Sequence, residues 1–306
     1  MPPEAPAQVW TTRTLLAWMT DAFTKAGVDS ARLHGEMLLA HVLRCDRLRL
    51  YTDADRAATP AERDALRALV QRALRHEPVQ YLVGEGWFFS LPFTVDRRVL
   101  IPRPATETIV ERILQHARST PDFSGPKGEG MTIADVCTGS GAVAVATIKN
   151  LAGARAVATD ISPDALQVAA LNASRHGVAE RVAFAHGDLL EPAARLKPEG
   201  GFHVLAANPP YIPDHEWGEV APNVKNHEPE LALRGGPDGM RLAAPIIRGA
   251  APLLRPGGLL LVEVAASCAG AALELAASQP TLADAQVLRD SEGLDRVVFA
   301  RRGSSG

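Results

Sequence analysis

The chain is poor in cysteine, in aromatic residues and in charge of one sign. Its 306 residues include three cysteines, Cys45, Cys137 and Cys268, and no two of them form a C-x-x-C pair. Neither a zinc site nor a disulfide framework is expected, and the thiols suit a reducing compartment. Each reads as a small core residue. No apolar stretch reaches the roughly 18 residues that a membrane-crossing helix needs. The start, Met1-Pro2-Pro3-Glu4, lacks the basic region and apolar core of a signal peptide, so a cytoplasmic location is expected. Aromatics make up 5% of the chain and its net charge is -3, so nothing points to bulk binding of nucleic acid. What the chain does have is 46% hydrophobic residues, enough for a sizeable core. Its length suggests about two domains.

Residues 1–76 read as a helical domain. Thr12 is placed to cap a first helix with Leu15, Leu16, Met19 and Phe23 on one face. Ser30 is placed to cap a second, with Leu33, Met37, Leu38, His41 and Val42. Thr59-Pro60-x-Glu62 is a capping signature with proline at the first helical position. It opens a third helix through Leu66, Leu69, Val70 and Leu74. These stripes read as core. Residues 77–104 read as a β-hairpin linker carrying Trp87, Phe88, Phe89, Phe93 and Val95, whose aromatics are expected to pack the seam between the domains, the alternative being contact with substrate. Residues 119–130 are polar and breaker-rich, hence a loop. Across 105–306 strands and helices alternate. Strands are expected at 132–137, 156–160, 182–186, 202–207, 258–264, 286–290 and 296–302, the last two as an antiparallel hairpin, with a disordered tail at 303–306. The expected fold class is α/β: a doubly wound Rossmann-like sheet behind a small helical bundle.

Four of these strands end in residues that carry chemistry, and strand ends of that polarity are where open α/β sheets bind ligands. The first runs into Cys137-Thr138-Gly139-Ser140-Gly141 and then an Ala/Val-rich helix. Gly139 and Gly141 permit positive φ and close backbone approach to a ligand. The spacing is neither G-x-G-x-x-G nor a phosphate loop. The second strand ends in Asp160, an acid suited to ribose hydroxyls. The third ends near Asp188-Leu189, placed for an exocyclic adenine amine. The fourth ends in Asn208-Pro209-Pro210-Tyr211. Two prolines remove two N–H donors there. The Asn208 side-chain oxygen and the Pro209 carbonyl can together accept both hydrogens of an –NH2 group. A planar amide nitrogen is a poor nucleophile, and holding its N–H bonds out of plane exposes the lone pair. Tyr211 can pack on the flat face. Any one of these taken alone is an ordinary turn or a solvated loop carboxylate. The ordered series is not.

The series resembles the class I S-adenosylmethionine-dependent methyltransferases, whose amino-methylating members carry (D/N/S)-P-P-(Y/F). More closely, the chain resembles the protein-(glutamine-N5) methyltransferases of the HemK/PrmC family. The likeness extends over nearly the whole length. It takes in Pro78-Val79-Gln80-Tyr81-Leu82-Val83-Gly84, Ile101-Pro102-Arg103-Pro104-x-Thr106-Glu107, His227-Glu228-Pro229, Gly235-Gly236-x-Asp238-Gly239 and Asp290-x-x-Gly293-x-Asp295-Arg296. Five positions depart from the family pattern. Cys137 stands for a usual glycine, Ala105 for a glutamate, His227 for a tyrosine, and Val264-Ala265 for the usual Ile-Gly after Glu263. Cys137 is expected in a backbone conformation open to a side chain.

The resemblance implies S-adenosylmethionine as cofactor, held by Cys137, Thr138, Gly139, Ser140, Gly141, Asp160, Asp188, Leu189 and Asn208. It implies Asn208, Pro209, Pro210 and Tyr211 as the catalytic segment, with Arg103 beside it at the acceptor, and no metal. The implied partner is a peptide chain release factor methylated on the glutamine of its Gly-Gly-Gln loop. A monomer without membrane or sequence-specific nucleic-acid contacts is expected. The alternatives are a ribosomal large-subunit protein as acceptor, adenine-N6 methylation of DNA, and a non-catalytic binding scaffold of the same fold.

Overall fold

Capping and hydrophobic periodicity build the N-terminal helices in the computed structural model, which describes residues 9–119 and 128–303. The expected loop at 119–130 falls mostly, and the tail beyond Gly303 wholly, outside the described residues. Two units form: one takes the chain up to Gly84 together with Pro222–His227, the other Glu85–Ala221 and the chain from Glu228 onward.

The first unit contains α1 (Thr12–Lys25), α2 (Ala31–Leu43), α3 (Arg49–Thr52), α4 (Pro60–Ala73) and α5 (Val79–Val83). Leu15, Met19, Phe23, Leu38, Leu39, Leu66 and Val70 form its core. Thr59 and Glu62 make the capping box that the sequence announces. Two caps differ from expectation. Thr11, not Thr12, caps α1, accepting from the Thr14 amide. Ser30 adopts a left-handed conformation and makes no capping bond. The face of α2 is also rotated: Leu33 and His41 are exposed, while Gly35, Glu36, Leu38, Leu39 and Ala40 are buried. Met37, Leu38 and Leu39 are consecutive, so the periodicity there does not choose one face. The buried Glu36 carboxylate is matched by Arg32, Arg47 and the Tyr51 hydroxyl.

The second unit opens with a hairpin of β1 (Glu85–Phe88) and β2 (Leu91–Thr94), then α6 (Glu107–Ser119). Phe88, Phe93 and Val95 are buried, whereas Trp87 is 62% exposed. In a four-residue strand successive side chains alternate, so Phe88 inward puts Trp87 outward. The main sheet follows: β3 (Thr132–Val136), β4 (Arg155–Asp160), β5 (Val182–His186), β6 (Phe202–Ala207), then β9 (Leu254–Glu263), β10 (Leu282–Arg289) and β11 (Asp295–Arg302). The short strands β7 (Ile212–Pro213) and β8 (Arg234–Gly236) pair with each other. The sheet order is β10-β11-β9-β6-β3-β4-β5. Strands β3 to β6 and β9 are parallel, and β11 and β10 add antiparallel. The strand expected at 258–264 begins earlier, at Leu254, and that expected at 286–290 begins at Leu282. Helices α7 (Ala142–Asn150), α8 (Pro163–Arg175), α9 (Glu191–Arg195), α11 (Ala243–Gly249) and α12 (Ala269–Ala277) complete this unit; α10 (Pro222–Lys225) belongs to the first. Among the described residues no helix is long and apolar enough to cross a membrane.

From β3 the chain proceeds outward through β4 and β5, then returns to the other side of β3 as β6. That reversal opens a crevice beyond the carboxyl ends of β3 and β6, the place where doubly wound sheets take ligands.

Candidate active site

The turn after β3 is built by side chains that hold backbone amides. Asp135, in the middle of an apolar strand, is buried and accepts from the Thr138 hydroxyl at 2.6 Å and the Ala144 N–H at 3.0 Å. Burial pushes its pKa up to about 7 against those two bonds. Cys137 stands at φ 59 and Gly139 at φ 55. The first is a correction: Cys137 takes the left-handed conformation that favours glycine, not one open to a side chain. Its thiol is pushed up by burial and by the carboxylates around it. Gly141 stands at φ 81, where an added Cβ would meet Ala169 at 3.1 Å, so the turn packs tightly on α8. Asn172 of α8 is fully buried and its amide serves three backbone groups. It donates to the Ser140 and Thr94 carbonyls and accepts from the Thr94 N–H at 2.7 Å.

The crevice is a cleft of about 310 Å³, within the range of small-molecule sites. Of the residues expected in the site, it brings together Arg103, Cys137, Thr138, Gly139, Ser140, Asp160, Asp188, Leu189, Asn208 and Pro210. Gly141, Pro209 and Tyr211 are not among its lining. Asp160 ends β4 with one oxygen on the Gly139 N–H and the other on the Ser162 N–H, both at 2.9 Å. Each oxygen keeps a lone pair for a further donor. Leu189 stands at φ 42, a second strained non-glycine residue on the cleft wall. Arg103 pairs with the buried Glu228, whose other oxygen takes the Ile101 N–H at 3.0 Å.

At the end of β6, the Asn208 Nδ2 donates to the Thr106 hydroxyl at 3.1 Å. The Tyr211 ring is half-buried and packs against the sheet core. Burial, with the Glu263 charge next, raises its phenol pKa. Glycines make room for this segment. A Cβ on Gly235 would lie 2.7 Å from the Tyr211 backbone, and one on Gly239 2.6 Å from the Tyr211 carbonyl oxygen. Hydrogen bonds from Ile212 to Leu233 and from Asp214 to Gly236 fasten the two stretches together. Among the described residues no group of three or more His, Cys, Asp or Glu could hold a metal ion.

Reasoning from the sequence missed Asp135, Thr106, Asn172 and Glu263. For Asp135 there was a signal: a carboxylate inside an apolar strand is costly unless it is bonded.

The order of the sheet and a ligand crevice at its switch point define a Rossmann-like methyltransferase that takes its methyl group from S-adenosylmethionine. The chain matches the model described as PrmC N-terminal domain over residues 14–84 and the one described as Methyltransferase domain over residues 133–227. It is 41% identical over 290 residues to the release factor glutamine methyltransferase of Chlorobaculum tepidum, covering 94% of this chain and 96% of that protein. It is 40% identical to the release factor glutamine methyltransferase of Moorella thermoacetica, covering 95% and 99%. Among solved structures, the delta-N METTL16 MTase domain matches with a TM-score of 0.50 at 16% identity, over 71% of this chain and 90% of that one, a likeness of fold alone. The chain belongs to the release factor glutamine methyltransferase family.

Proposed function

We propose that this protein transfers a methyl group from S-adenosylmethionine to the side-chain amide nitrogen of a glutamine, that of the Gly-Gly-Gln loop of a peptide chain release factor. The observation that carries the reading is the orientation of Asn208. Its NH2 is engaged by Thr106, so its oxygen is the end left to accept an acceptor's N–H. A site built to receive –NH2 needs an oxygen there.

The donor supplies an activated sulfonium methyl, so the hard chemistry comes with the cofactor. The chain's residues have to bind, orient and exclude water. Gly139 and Ser140 offer backbone to the amino-acid end of the donor, Asp160 its free lone pairs to the ribose, and Asp188 with Leu189 a polar and an apolar contact to the base. Asn208 Oδ1 and the Pro209 carbonyl hold the two amide hydrogens and turn the nitrogen's lone pair toward the methyl. Pro210 keeps that turn rigid, and Tyr211 packs on the plane of the acceptor amide. Arg103, held by Glu228, stands at the acceptor side. No strong general base is required, because the proton leaves after nitrogen has become positively charged.

The helical domain, 1–76, carries no chemistry of its own and is assigned to recognition of the protein partner. Residues 77–104 link it to the methyltransferase domain, 105–306. A single glutamine offers too little area for specificity. The enzyme acts as a monomer in the cytoplasm, without nucleic acid.

Labelled donor, incubated with purified release factors, ribosomal large-subunit proteins and DNA, tests the assignment. Mass spectrometry should find the label on the Gly-Gly-Gln glutamine. Label on a ribosomal protein or on DNA alone would overturn it. A chain beginning at Glu85 that melts cooperatively, binds the donor and still methylates intact release factor at full rate would remove recognition from the helical domain.

A further inference from the structure

An asparagine amide has a donor end and an acceptor end, interchanged by a half-turn of its last bond. A residue that must receive two N–H groups works in one of these orientations only. Among the described residues, Asn208 is held in the useful one by the Thr106 hydroxyl at 3.1 Å. Thr106 closes the short 3-10 turn Pro104–Thr106 ahead of α6 and is 4% exposed.

A hydroxyl has one hydrogen and two lone pairs. Thr106 accepts reliably from Asn208 only while its own hydrogen is directed elsewhere. Glu263 is the group available to take it. In the sheet Ala207 pairs with Val262, so Asn208 and Glu263 leave neighbouring parallel strands side by side. Glu263 is fully buried, and neither carboxylate oxygen has a partner at full hydrogen-bond geometry. The hydroxyls of Thr106 and Tyr211 favour its charged form against the burial that opposes it. A buried, unsatisfied carboxylate is costly and seeks a donor.

We propose that Thr106 and Glu263 are positioning residues: the buried carboxylate draws the Thr106 hydrogen toward itself, which leaves Thr106 an acceptor for the Asn208 NH2 and so presents the Asn208 oxygen to the acceptor glutamine. The inference rests on the assignment of Asn208 made above. It also gives the Thr106 of the I-P-R-P-x-T-E segment a task. The adjacent Glu107 has another, since its carboxylate accepts the Phe89 N–H at 2.7 Å in the hairpin turn.

The test uses the full chain, labelled S-adenosylmethionine and an intact release factor, under single-turnover conditions. Thr106→Val keeps the shape and removes the hydroxyl. Its rate should fall roughly 10- to 100-fold with donor affinity within about twofold, the pattern of a lost transition-state contact. Thr106→Ser keeps the hydroxyl and should retain most of the rate. Glu263→Gln supplies an NH2 that can donate to Thr106 and reverse its role, so the rate should fall in the same way. Neither change should slow Asn208→Ala further, because residues acting through one another are not additive. Full activity of Thr106→Val beside an inactive Asn208→Ala overturns this inference alone, as do additive losses in the double variants. Wild-type activity of Asn208→Ala overturns the assignment of Asn208 and this inference with it. Should Thr106→Val fail to fold, Glu263→Gln decides alone: full activity there, beside an inactive Asn208→Ala, overturns the inference.

Discussion

Asp160 closes the glycine turn of the cleft: its Oδ2 accepts the backbone N–H of Gly139 at 2.9 Å. The end of β4 is thereby tied to the turn after β3, and the carboxylate stands where the two strands meet the cleft. Burial raises its pKa against the bonds from Ser162 and Gly139 that favour its charged form.

Asp160→Ala should therefore act twice, by removing the proposed ribose partner and by releasing the Gly139 amide. Donor affinity should fall by about 1 to 3 kcal/mol, or roughly 5- to 150-fold. The rate at saturating donor should change less. Calorimetric titration with S-adenosylmethionine reads the first effect, and unchanged affinity would remove Asp160 from the site.

Asn208→Ala should do the reverse. Donor affinity should stay within about tenfold, while methyl transfer drops by roughly 30- to 1000-fold. That is the loss expected for one or two hydrogen bonds made in the transition state, about 2 to 4 kcal/mol. Near-full turnover would end the mechanism proposed here.

The sheet was legible because strand-ending residues and breakers carry strong local signals. Phe202–Ala207 and Val182–His186 begin and end where the sequence reading places them. The helical unit was less so. The run Met37-Leu38-Leu39 offers α2 two faces, and Ser30 looks like a cap but bends left-handed. In the site, residues that terminate strands or break turns could be found one at a time. Thr106, Glu263 and Asn172 could not. Each is a single polar residue whose meaning lies in a partner far along the chain: Asn172 serves Thr94 from 78 residues away, and Thr106 serves Asn208 from 102.

Gly239 separates backbone strain from close approach. It stands at φ 75, and a Cβ there would sit 2.6 Å from the Tyr211 carbonyl oxygen and 2.8 Å from the Cys268 sulfur. Gly293 stands at a similar φ of 80 with no atom within 4 Å. Both alanine variants meet the left-handed penalty of about 1 to 2 kcal/mol. Only Gly239→Ala must also push the segment that carries Asn208. It should lower turnover more than tenfold, whereas Gly293→Ala should lower the melting temperature and leave turnover intact. Equal turnover in the two variants would show that the Gly235–Gly239 stretch does not buttress the site.

Asp135 gives the fold a pH dependence of definite sign. Burial is the main cause that lifts its pKa from 3.8 to about 7; the bonds from Thr138 and Ala144 oppose the lift and the Asp160 charge adds to it. The folded protein therefore binds this proton more tightly than the unfolded chain does. A raised pKa contributes stability that is fully present below the unfolded value, near pH 4, and is lost as pH rises through about 7. Across that window the Asp135 contribution should fall by an amount on the order of a few kcal/mol. Glu263, lifted to about 6 chiefly by burial, acts in the same direction over a narrower range. His116, lowered to about 4 chiefly by burial, opposes both, because its contribution is lost as pH falls below 6.5. Asp135→Asn keeps an oxygen for the Thr138 hydroxyl and the Ala144 N–H but cannot ionise. Denaturant titrations at pH 5 and pH 8 should show a smaller loss of stability on going to pH 8 in this variant than in the wild type. Identical losses in the two proteins would mean that Asp135 does not hold its proton in the fold.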